Sequence, residues 1–124
     1  MTDLVESSKE VLDRAVLASL RELQEEGDPD ILAEVGELFI KHAPKKIAAI
    51  KEAASEGNAK ALEVAAHSLK SSSSYIGALK LSAISKELEF IGRSGGLEGS
   101  VEKAATIETE FWRVKSALET EIGK

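Results

Sequence analysis

The stretch "NAKALEVAAHSLKSSSSYIGALK", Asn58 to Lys80, reads as one helix with both ends marked. Gly57 and Asn58 supply a stop and a new start, and Gly77 closes the segment, which places a helix from about Ala59 to Ile76. At 100° per residue, Leu62, Ala65, Ala66, Leu69, Ser72, Ser73 and Ile76 fall within roughly 80° of one direction and form the inward stripe. His67 falls about 140° from Leu62, on the opposite side, with Lys60, Glu63, Lys70, Ser71 and Ser74.

Working outward, the same three- and four-residue spacing recurs with turn signals between the segments. An amphipathic run from Asp13 to Glu26 precedes "EGDPDI", where Gly27 is expected as a stop, Asp28 as the next N-cap and Pro29 at the first helical position. The following stripe is Ile31, Leu32, Val35, Leu38 and Phe39, with a break or kink predicted at Pro44 before the helix resumes through Ile47 and Ile50. Leu81, Ile84, Leu88 and Ile91 make a fourth period, ended by "GRSGG". A fifth helix is expected from Leu97 to about Ile122, with Val101, Ala104, Ile107, Phe111, Val114 and Leu118 inward and Trp112 packed under it. No strand pattern appears. Short connections at 57–58, 77–78 and 94–96 make consecutive helices antiparallel neighbours. The predicted fold is therefore all-α, an up-down-up-down antiparallel four-helix bundle over about 29–122 with an additional N-terminal helix. One domain spanning 1–124 is expected, its first ten residues loose.

Composition agrees with an aliphatic helical core: 43% of the 124 residues are hydrophobic, only five are aromatic and two are proline. The chain has no cysteine, which removes disulfides, thiol nucleophiles and thiolate metal sites and fits a reducing compartment, the cytoplasm by expectation. No apolar run approaches the roughly 20 residues that cross a bilayer. A net charge of -6 argues against nucleic acid as a partner. That charge is uneven, because residues 41–80 hold seven lysines against three glutamates, a local +4. Such a region suits an acidic protein partner, with ordinary solvated helix faces as the competing reading.

An exposed histidine in a helix interior, with the small residues Ser71 and Ser74 further on, presents its imidazole to something large. Neutral imidazole is nucleophilic near pH 7, and a lysine one turn along is placed to offset negative charge on any group the ring acquires. Chance surface placement of His67 and Lys70 competes with this reading. His42, in "KHAP", is expected to have a surface or cap role. The serine run lacks a base, so Ser72 and Ser73 are expected to allow close packing and bond back to carbonyls. There is no ATP-binding motif and no acidic metal cluster.

At "AHSLKSSSSYIGALKL", Ala66 to Leu81, the sequence resembles the signature of histidine-containing phosphotransfer (HPt) domains: a histidine, any residue, leucine, lysine, usually glycine, two small residues, then glycine-alanine about ten positions after the histidine. The likeness continues through Ser19 to Lys70 and through "LSAISKELEFIGRSGGLEGS", so it spans nearly the whole chain. It implies a four-helix bundle whose histidine takes a phosphoryl group from the aspartate of one response-regulator receiver domain and passes it to another. His67 is the position matching the phosphoacceptor, Lys70 the lysine that helps hold the phosphoryl group, Leu69 a core position and Gly77 the helix end. Ser71 stands where the family usually has glycine, and serine adds one hydroxymethyl group beside the approach to the ring.

The resemblance implies a phosphocarrier rather than an enzyme, with no cofactor or metal of its own and Mg²⁺ on the partner receiver. If the turn at 57–58 makes its helices antiparallel, His67 lies level with roughly residue 48. Lys45, Ala48, Ala49, Lys60, Glu63, Val64 and Ser68 are then expected to rim the site, with Ser71 and Ser74 beside the phosphosite. Expected partners are receiver domains or a hybrid sensor histidine kinase, with no nucleic acid or membrane, and a monomer as the state. Two competing readings stay open: a degenerate relative that docks a receiver without carrying phosphate, and a plain helical scaffold.

Overall fold

The computed structural model describes residues 11–123, so the expectation for residues 1–10 lies outside the described residues. Among the described residues there are five helices and no strands: α1 (Arg14–Glu22), α2 (Ile31–Glu56), α3 (Ala59–Tyr75), α4 (Leu79–Ser94) and α5 (Ser100–Ile122). α2 packs on α3 and α5, and α4 packs on α3 and α5, so the four long helices close a square bundle. Leu32, Ile50, Leu62, Leu69, Leu81, Leu88, Ile107 and Leu118 fill its centre and are essentially inaccessible. None of these helices is long and apolar enough to cross a membrane.

The α2–α3 connection follows the local chemistry closely. Gly57 adopts φ +70°, and its amide meets the Ala53 and Ala54 carbonyls. Asn58 then accepts from the Ala61 amide and starts α3. Gly77, at φ +81°, gives its carbonyl to the Asp13 amide at 2.8 Å, while Asp13 caps α1 by accepting from Val16. α1 is thereby seated on the α3–α4 turn. It is also tied to α5, because the buried Glu121 carboxylate accepts from Arg14 at 2.7 Å and Arg21 at 3.2 Å.

Several boundaries differ from the sequence expectation. α1 stops at Glu22 rather than Glu26. α2 is capped by Asp30 rather than Asp28, because Asp30 accepts from two otherwise unpaired amides, Leu32 and Ala33. Asp28 instead closes the preceding turn by accepting from the Glu25 amide, so Pro29 precedes the helix. The break at Pro44 is absent: α2 runs through it, with Pro44 on the exposed side and Phe39, Ala43, Ile47 and Ile50 buried around it. A proline there costs about 3 kcal/mol. The packing of the four flanking side chains offsets that cost. α5 begins at Ser100, after Gly99 at φ +81°, rather than at Leu97.

Three side chains expected inward are exposed: Leu38, Val101 and Trp112. Trp112 follows the buried Phe111 and so points about 100° off the stripe. It lies edge-on to Phe111, beneath the Lys115 ammonium. The inner serines follow expectation in part. Ser72 is half-buried and donates back to the Ser68 and Leu69 carbonyls, whereas Ser73 is fully buried and its hydroxyl has no partner among the described residues.

Candidate functional site

His67 projects from the middle of α3 with 61% of its side chain exposed, on the side away from Leu62 and Leu69. The ring is not free to spin. Its Nδ1 lies 2.8 Å from Oε2 of Glu89, a residue of α4 whose side chain is only 7% exposed. The carboxylate accepts the Nδ1 proton, which selects the tautomer with a lone pair on Nε2. Nε2 is thus the nitrogen left for chemistry.

Glu89 also collects two cations. Lys70, one turn along α3 and 29% exposed, places Nζ 2.7 Å from Oε1. Arg93, one turn along α4, places Nη2 3.0 Å from Oε2 and reaches Glu63 Oε2 through Nε at 3.1 Å. Lys60 adds a looser contact to Glu63 at 3.5 Å. A buried carboxylate requires such company. The Lys70 ammonium holds the Glu89 carboxyl below the usual carboxylate range, with His67 adding to the effect and burial opposing it. The Arg93 guanidinium does the same for Glu63.

α4 reaches α3 this closely because Gly92 is buried against it: a Cβ there would stand 2.6 Å from the Glu63 amide nitrogen and 2.8 Å from the Ala59 carbonyl oxygen. That contact sets the depth from which Glu89 and Arg93, on the same turn of α4, meet His67 and Glu63.

The other expected site residues divide. Ser71 and Ser74 are exposed on α3 beyond His67, while Val64 is exposed and Ser68 half-buried beside it. Lys45 and Ser71 share an apolar groove of about 580 Å³ between α2 and α3, lined also by Val35, Leu38, Phe39 and Tyr75. Ala49 is exposed one turn beyond Lys45. Ala48 is elsewhere: it lines a groove between α2 and α5 with Pro44, Lys51, Glu108 and Trp112. The turn at 57–58 determines the level along the bundle but not the azimuth, and Ala48 faces α5. Glu63 and Lys60 stand on the Arg93 side rather than toward α2.

Sequence reading missed Glu89, Arg93 and Gly92. A signal was present, since Glu89 sits with Ser85, Leu88 and Gly92 on the buried face of α4. A glutamate on such a face calls for cations from a neighbouring helix, and Arg93 follows it by four.

Because Glu89 shares its carboxylate with two cations and the imidazole N–H, the network stabilises the fold while it is ionised. A carboxyl held low in the folded state contributes this above its unfolded value, about 4.3, and loses it as pH falls through the lowered folded value. We expect Glu89→Gln to be less stable than wild type by about 1–2 kcal/mol at pH 7, the difference shrinking toward zero below about pH 4. Urea denaturation across that range checks it, and a pH-independent difference would contradict it.

A helical bundle presenting one tautomerically oriented, exposed imidazole with an ammonium one turn away has the form of a histidine phosphocarrier. The family model described as the Hpt domain matches residues 34–120. Among solved structures, the crystal structure of histidine-containing phosphotransfer protein B from Pseudomonas aeruginosa PAO1 is 32% identical, with a TM-score of 0.81 over 90% of this chain and 93% of that one. A rice protein assigned as a histidine-containing phosphotransfer protein shares the fold at 24% identity, with a TM-score of 0.80 over 98% of this chain and 90% of that one. No curated protein matches in sequence. The chain belongs to the Hpt domain family.

Proposed function

We propose that this protein carries phosphate in a two-component phosphorelay, accepting a phosphoryl group from a receiver-domain aspartate on His67 and passing it to a second receiver. The observation that carries this reading is the Glu89 contact, which occupies Nδ1 and leaves Nε2 of an exposed ring as the nucleophile. In the forward step the Nε2 lone pair forms a bond to phosphorus as the bond from phosphorus to the aspartyl oxygen breaks, and the aspartate departs as carboxylate. The ring gains positive charge, which Glu89 offsets through the Nδ1 proton. Lys70 keeps one ammonium proton on Glu89 and has two others for the phosphoryl oxygens. The partner receiver supplies Mg²⁺ in this reading, and this chain needs no cofactor of its own.

The groove between α2 and α3 favours receiver docking on that side, because it places apolar surface and Lys45 beside the route to His67. Its partners are then receiver domains, alone or within a hybrid sensor histidine kinase, met by a monomer in the cytoplasm. Incubation with a phosphorylated receiver should give this protein an acid-labile, alkali-stable phosphate. Binding of receivers without any label would instead identify a docking module that carries no phosphate.

A further inference from the structure

On the α4 side of Ser71 and Tyr75 lies a second cleft of about 600 Å³, lined by the polar residues Lys70, Ser71, Ser74, Tyr75, Ser82 and Lys86. Its hydrogen bonds leave few donors spare. Ser82 donates to the Lys70 carbonyl at 3.0 Å, so the 2.8 Å contact between Ser74 and Ser82 uses the Ser74 proton. The Lys70 ammonium gives one proton to Glu89, and its other two are already assigned to the phosphoryl group. The Ser71 and Tyr75 hydroxyls and the Lys86 ammonium have no hydrogen-bond or ion-pair partner among the described residues. Of the α4 cations, Lys80 meets Glu110 and Arg93 meets Glu63 and Glu89, so Lys86 is the one left unpaired among the described residues.

We infer that Ser71 and Lys86 form a clamp for a carboxylate on the rim of the docking receiver's phosphorylation pocket, so that the serine in the family's usual glycine position is a recognition residue. This rests on the phosphocarrier reading. The occupant is acidic because the unpaired groups at this mouth are an ammonium and two hydroxyls, all able to donate, and it comes from the receiver because that mouth opens one turn from His67. A glycine at 71 would leave Lys86 without one of its companion donors.

The test measures transfer from a phosphorylated receiver to the intact protein over a range of receiver concentrations, which separates half-saturation from maximal rate. Lys86→Glu should raise half-saturation about five- to tenfold with the maximal rate within about twofold, an effect that shrinks as salt rises. Lys86→Gln should give a smaller rise in the same direction, Lys86→Arg should stay within about twofold of wild type, and Ser71→Gly should raise half-saturation about threefold. Lys115→Glu, a matched charge change on α5, should leave it unaltered. Wild-type half-saturation in Lys86→Glu, or an equal rise in Lys115→Glu, overturns the clamp while leaving the carrier function standing. A wild-type protein that takes no label removes the carrier reading, and the clamp with it.

Discussion

Replacing His67 by glutamine should abolish phosphoryl acceptance, with a loss of at least about a thousandfold that reaches background, because no other group in the site offers a comparable lone pair. The variant is a sharp one. Glutamine can still donate an amide proton to Glu89, so the Lys70, Glu89 and Arg93 contacts retain their anchor. The position is largely exposed, so stability should change by no more than about 1 kcal/mol. Transfer assays and a thermal melt on the same preparation separate lost chemistry from lost fold. A variant that remains folded and still takes the label would move the phosphosite elsewhere.

Replacing Gly92 by alanine should damage both fold and transfer. Alanine is the better helix former by about 1 kcal/mol, which taken alone predicts stabilisation. The added Cβ opposes this, since it would sit 2.6 Å from the Glu63 amide nitrogen, and backbone cannot swing aside as a flexible side chain can. Separating α3 from α4 exposes buried surface along their whole contact, so we expect a net loss of about 2 kcal/mol, or a Tm lower by roughly 5–10 °C. The same displacement draws Glu89 away from Nδ1, and transfer should fall about tenfold or more under conditions where the variant is folded. A variant with wild-type Tm and wild-type transfer would show that the close approach is not required.

These two positions differ in how far the sequence announces them. His67 was legible because its significance is local: the helical period puts it opposite Leu62 and Leu69, and the residues around it carry the family signature. The helix ends at Gly57, Asn58 and Gly77 were legible for the same reason, since glycine and asparagine act on their own turns. Gly92 and Glu89 were not, because their roles depend on which face of α4 meets α3 and at what depth. Spacing along one helix does not encode that. Pro44 shows the converse, a strong local signal overruled by buried neighbours on both sides. Ala48 shows the limit of hairpin counting, which gives height along the bundle without direction around it.

If Glu89 holds Nδ1, then Nε2 of His67 is the atom that takes phosphate. Uniformly ¹⁵N-labelled protein, phosphorylated by a receiver and read by phosphorus-nitrogen coupling in NMR, tests it at the level of the bond. The expected result is a single phosphorus signal coupled to Nε2 of His67, with Nδ1 still protonated. Coupling to Nδ1, or a phosphate on any other residue, would contradict it.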